Sequence, residues 1–233
     1  MKGKPDVLLI YWIFPGFYAV FGVIICLLAR VTPPPRPDVT TAQQVDFLAS
    51  HSLTIRIGFG LLLILLGGAA VTNGLVGYHM KRMSVGSVFA YGYLGGMAVG
   101  ALPGFLLVAA CFLTATFRAD RDPEVVGLLY DLGMLSYNGS LGCFSTAYLV
   151  LAVAVLYDKH AIFPKWFAYV SVWQIATEVI ATQMFLFDAG PFAWNGSIAF
   201  WLAVVVFSVW LGALIVLLKQ ATAREPADAP ALD

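Results

Sequence analysis

Residues 197–218 read Ser-Ile-Ala-Phe-Trp-Leu-Ala-Val-Val-Val-Phe-Ser-Val-Trp-Leu-Gly-Ala-Leu-Ile-Val-Leu-Leu, with no charged side chain before Lys219. A helix needs about 20 predominantly apolar residues to cross the roughly 30 Å hydrocarbon core of a bilayer. This stretch has the length, and Asn195 or Ser197 is placed to cap it. The same reading applied outward finds further apolar runs, so that the expected spans are 7–29, 55–78, 87–116, 125–157, 166–187 and 197–219. The expected fold is therefore all-α, a polytopic transmembrane helix bundle of about six spans. One membrane domain covers 1–222, and a disordered tail covers 223–233.

Composition supports a lipid solvent. The hydrophobic share is 61% and the charged share 11%, against about 25% charged in a soluble domain. Formal net charge is zero, from 13 basic and 13 acidic residues. Nucleic-acid binding needs a basic patch or stripe, so none is expected. Cys26, Cys111 and Cys143 lie in apolar runs with no CxxC pattern, and read as packing residues. His51, His79 and His160 fall at membrane edges and none pairs at i+3 or i+4. No metal and no cofactor is expected.

Lys2 and Lys4 precede a first span too long for a signal-peptide core, so it reads as uncleaved. With the N-terminus inside, Lys2, Lys4, Lys81, Arg82, Lys159, Lys165, Lys219 and Arg224 are inner, while Arg30, Arg36, Arg56, Arg118 and Arg121 are outer. The bias puts both termini in the cytoplasm. The longest outer loop, 31–52, opens with Thr32-Pro33-Pro34-Pro35-Arg36-Pro37, a stiff extended segment. Thr40 or Thr41 then caps a short helix bearing Val45 and Leu48, which lies on the membrane surface or lids a cavity. On the inner side, Pro164 suits the first turn of span five.

Polar residues inside spans carry the functional expectation. Gly92, Gly96, Gly100 and Gly104 recur every fourth position of span three and form a helix-packing groove, filled by a neighbouring span or by a second copy of the chain. Pro103 bends that span near its outer end. Asp131, Asn138 and Ser145 share a stripe of span four; Gln174 and Glu178 share a face of span five. If span four enters at 125, Asp131 sits about 9 Å deep; Glu178 sits about 12 Å from the same edge. On that register Asp131 faces Glu178 and Asn138 faces Gln174; Glu178 then either pairs with Arg56 from span two or shares a proton with Asp131. An intramembrane carboxylate costs about 2.5–3.5 kcal/mol on insertion scales, so such groups are paired, neutral or against water.

The segments FRADRDPE (117–124), DLGMLSYNG (131–139), AIFPKWFAYVSVW (161–173) and GPFAWNGSIAFW (190–201) resemble an uncharacterised family of bacterial multi-pass membrane proteins, a domain of unknown function. The resemblance lies mainly in the C-terminal half, above all in FPKW and GPFAWNG. It implies a bacterial inner-membrane protein and six spans. It brings no activity and no catalytic residue.

No serine-protease, metalloprotease or histidine-box motif is present. The function expected first is binding or passing a small apolar molecule, or supporting a membrane protein partner. The ligand-binding candidates are Asp131, Asn138, Gln174, Glu178 and Arg56. A proton-coupled transporter using Glu178 and Asp131 is the alternative. A cofactor-free intramembrane acid/base isomerase or cyclase, with Glu178 and Asp131 catalytic, is a third, so enzyme activity stays open.

Overall fold

The computed structural model describes residues 5–225, and all its regular elements are helical. Helix α1 (Pro5–Val23) runs into a π-helical turn, Ile24–Leu28. Helix α2 (Thr41–Ser50) lies outside the membrane run, and α3 (Ser52–Lys81) and α4 (Val88–Phe117) form a long antiparallel pair. Span four is α5 (Pro123–Gly139), a 3-10 turn at Ser140–Phe144, and α6 (Ser145–Tyr157). Helix α7 (Lys165–Ala181) ends in a 3-10 turn, Thr182–Phe185; a π-helical turn at Ser197–Leu202 opens α8 (Ala203–Ala223).

Five of these stretches are long and apolar enough to cross a membrane: Asp6–Leu28, Ser52–Lys81, Val88–Phe117, Pro123–Tyr157 and Ser197–Ala223. Helix α7 is not among them, because Gln174, Thr177 and Glu178 interrupt its apolar run. It nevertheless travels the length of the bundle. At its start the Lys165 ammonium donates to the carbonyls of Val155 (2.8 Å) and Asp158 (2.9 Å), closing the end of α6. Past its other end, the Trp194 indole donates to the Pro35 carbonyl at 2.7 Å, in the loop after α1.

The two ends of the bundle are built differently. At the first end, which collects Lys81, Lys159, Lys165 and Lys219, loops are tied together by polar bonds. Asp158 accepts from the backbone N–H groups of Ser84, His160 and Ile162 at 2.8–3.0 Å. Burial pushes its carboxyl up, but these bonds and the Ser84 hydroxyl outweigh it and hold the group below the usual carboxylate range. Glu225 is 4% exposed, bonded to Tyr78 and paired with Arg82 at 3.4 Å, although it falls within the stretch 223–233 expected as a tail. Residues 226–233 of that stretch lie outside the described residues.

At the opposite end, Thr40 and Gln43 cap α2 reciprocally: the Gln43 backbone N–H donates to the Thr40 hydroxyl and the Thr40 backbone N–H to the Gln43 side-chain Oε1. With Gln44 and Leu48 buried, α2 packs on α5, α4 and α3 at this end of the bundle. The proline-rich segment is strapped down by Thr32–Tyr137 (3.1 Å), by the Tyr130 hydroxyl on the Arg36 carbonyl (3.1 Å), and by Trp194 on Pro35.

The glycine groove of α4 is filled by this chain's own span four. A Cβ on Gly92 would meet Val150, on Gly96 Ala147, on Gly100 Phe144 and on Gly104 Ser140. The helix continues past Pro103 to Phe117. Exposed apolar residues such as Ile64 (78%) and Trp173 (66%) face outward, as a lipid solvent requires.

Candidate functional site

The site grows from the contact of α6 with α7. Both helices are apolar along most of their length, and close packing holds them together around Tyr148, Phe167 and Trp210 (Tyr148–Trp210 centroids 4.8 Å, Phe167–Trp210 5.9 Å). One turn beyond this aromatic plug lies the carboxyl of Glu178, 2% exposed. The Ser145 hydroxyl donates to its Oε2 at 2.9 Å, and the Gln174 amide, one turn earlier on the same face, donates to its Oε1 at 3.1 Å. No lysine or arginine pairs with it among the described residues. The Tyr148 phenol lies within its electrostatic reach, as do Tyr18 and Tyr93 for that phenol.

Two buried polar groups near it have unspent capacity. The Gln174 Oε1 accepts nothing, and Asn138, 1% exposed, has neither its Oδ1 nor its Nδ2 bonded. Other polar side chains of α7 are committed locally. Thr177 donates to the Gln174 carbonyl (2.8 Å), and Ser171 donates to the Phe167 carbonyl (3.0 Å) while accepting from the Trp210 indole (3.0 Å).

The expected register across spans four and five does not form. Asp131 does not meet Glu178: it accepts from the Gln44 amide of α2 at 3.0 Å. The reason is length. Span four is 35 residues, about 52 Å of helix, against a core of roughly 30 Å. Measured from Tyr157, Ser145 lies about 18 Å in and Asp131 about 39 Å, so Asp131 sits beyond the core when the other end of the span is at its edge. Asn138 and Gln174 do not meet either, because Asn138 lies outward of the Ser145–Glu178 contact and Gln174 inward of it. Arg56 is exposed; its guanidinium stacks over Phe117 at 5.6 Å, at the mouth of a shallow cleft of ≈ 480 Å³ that does not include Glu178. A second cleft, ≈ 260 Å³, lies between α1 and α3 at Asp6 and Tyr78.

Sequence reasoning placed Ser145 on the right stripe but gave it no role, and it missed Gln44 and Tyr148. Gln44 carries a readable signal: it lies four residues after a threonine cap, on the Leu48 side of α2. Among the described residues no cluster of His, Cys, Asp or Glu is arranged to hold a metal ion, and all three cysteines are free thiols. No protein-family model, curated protein or solved structure matches the chain.

Proposed function

We propose that the chain is a six-span protein of a bacterial inner membrane, both termini cytoplasmic, that couples the passage of a small apolar molecule to proton uptake at Glu178. The observation that carries this reading is the Glu178 carboxyl, buried between α6 and α7 and held by two neutral donors with no cation beside it. A carboxylate fixed in hydrocarbon is costly, and proton relays are a recurring reason for one to be there. The orientation rests on Lys81, Lys159, Lys165 and Lys219, the lysines among the described residues, which share one end of the bundle, and on α7 running from that end to the other. The bacterial inner membrane rests on the resemblance in FPKW and GPFAWNG. Asp131 has no part in the coupling pair; it belongs to the outer rim.

A second reading, a support for a membrane partner, is favoured by a different observation. Both Glu178 oxygens are occupied, and neither cleft opens on it. Infrared difference spectroscopy of the purified protein across about pH 4 to 9 separates the two. The coupled reading expects a carboxylic-acid band that titrates in this window and vanishes in Glu178→Gln. A spectrum identical in wild type and Glu178→Gln refutes it and leaves the support role.

A further inference from the structure

We propose that Glu178 exchanges its proton with the outer side of the membrane along the Asp131–Asn138–Ser145 stripe of span four, with Asn138 as the relay between the rim and the carboxyl. This rests on Glu178 being a proton site, and adds where the proton comes from and which residue orients the water that passes it.

The series has three rungs: Asp131 and Asn138 are two turns or about 10 Å apart on α5, and Ser145 follows Asn138 at about 10 Å or more, across the 3-10 turn Ser140–Phe144. At the outer rung Asp131 is half-buried beside Gln44, with the Tyr130 phenol as its titratable neighbour. At the inner rung the Ser145 hydroxyl touches Glu178. Between them stands Asn138, a group with one acceptor oxygen and two donor hydrogens, almost wholly buried and bonded to nothing. A buried amide left unpartnered is costly, so a core asparagine with no structural bond calls for another role. It sits where α5 gives way to the 3-10 turn Ser140–Phe144. Irregular backbone at membrane depth occurs where it is buried in protein or lines a water-filled cavity.

The opposite direction is narrower. Inward of Glu178 the Gln174 Oε1 is unspent, but beyond it the Ser171 hydroxyl is committed to its own helix, as is that of Thr177, and Tyr148, Trp210 and Phe167 stack across the path. The Tyr93 phenol, further in, is spent on the Asn73 carbonyl at 3.1 Å. The groups packed against Glu178 from other elements are Ser145 and Tyr148 of α6; residues 203–218 of α8 contain no charged residue.

A 10 Å gap is bridged by water, which typically makes about three hydrogen bonds to buried polar groups. Asn138 orients that water, its Oδ1 accepting and its Nδ2 donating. A hydronium at the Asp131 rim releases one proton into the chain. Each water passes one proton on and receives one, and a Glu178 carboxylate oxygen takes the last. The net change is one proton from the outer solution and one new O–H bond on Glu178.

The test is time-resolved infrared detection of the Glu178 acid band after a pH jump, in vesicles of uniformly oriented protein. In wild type the band follows a jump on the outer side faster than one on the inner side, a comparison that needs no variant. In Asn138→Leu the outer rate falls by about tenfold or more, equivalent to about 1.4 kcal/mol in the barrier, while the equilibrium titration persists. Asn138→Ser, which supplies a smaller polar group able to orient water, falls between the two. Equal rates from both sides, or an unchanged rate in Asn138→Leu, overturn the route and leave Glu178 a proton site. A wild-type carboxyl that never titrates overturns the parent reading and the route with it.

Discussion

Alanine substitutions along α4 make a graded test of the packing that holds the site. In a helix interior, glycine to alanine alone stabilises by about 0.5–1 kcal/mol. At Gly95 an added Cβ has nothing within 4 Å, so Gly95→Ala keeps that gain. At Gly92 the nearest atom is a Val150 methyl at 3.6 Å, ordinary contact, and the gain again survives. At Gly96 the new carbon meets the Ala147 Cβ at 3.0 Å and the Ala147 Cα and N at 3.2 Å. Backbone cannot swing aside as a long side chain can, so the helices must part, and overpacking of this kind costs about 1–3 kcal/mol. Gly96→Ala should therefore fall below Gly95→Ala by about that amount, or about 2–12 °C in the unfolding midpoint at the scaling for chains near this size. Thermal unfolding in one detergent, with all three variants side by side, reads the difference. Ala147 is two residues from Ser145, so Gly96→Ala should also perturb the Glu178 infrared band, whereas Gly95→Ala leaves it alone. Indistinguishable midpoints for Gly95→Ala and Gly96→Ala would show that α4 and span four do not pack through this groove.

Asp158→Ala orphans three backbone N–H groups and should destabilise the protein by about 2–4 kcal/mol, since each lost bond to a charged group is worth about 1.5–3 kcal/mol and water recovers part of it. The sign of its pH dependence follows from a carboxyl held below its ordinary value. Its stabilisation is complete above the unfolded value near 3.9 and drains away as pH falls through the folded value. Acid unfolding curves should thus converge for wild type and Asp158→Ala at low pH, and parallel curves would contradict the assignment. Trp194→Phe keeps the packing on Tyr130 (centroids 6.2 Å) but loses the bond to Pro35. It should speed protease cleavage within 31–40 with at most about 1.5 kcal/mol off global stability; unchanged cleavage would mean that the strap is held by other contacts.

The helical architecture was readable because lipid leaves few options: apolar runs of spanning length have to be helices. The boundary between bilayer and water was not readable in span four. Its residues from 125 to 157 are mostly apolar, and the part nearest α2 is apolar because α2 and the proline strap pack on it rather than because lipid surrounds it. That ambiguity put Asp131 level with Glu178. The face of each helix fared better than its depth. Ser145, placed on the polar stripe without a role, is the residue of span four that touches Glu178, and the four-residue spacing of Gln174 and Glu178 does make a bond. Arg56 was chosen as the available outer cation, yet side-chain direction sends it to Phe117. Spacing along one helix says nothing about which way a neighbouring helix is rotated.

The polar face of α7 also bears on how the chain is made. A segment carrying Gln174, Thr177 and Glu178 pays a steep penalty when offered to lipid alone, whereas α6 and α8 partition readily. Once Ser145 is bonded to Glu178, much of that penalty is cancelled before lipid is met. Membrane integration of α7 is then expected to be cooperative, easier with α6 and α8 present than for α7 alone. The same serine–glutamate contact that defines the interior of the finished protein would act, during synthesis, as its admission step.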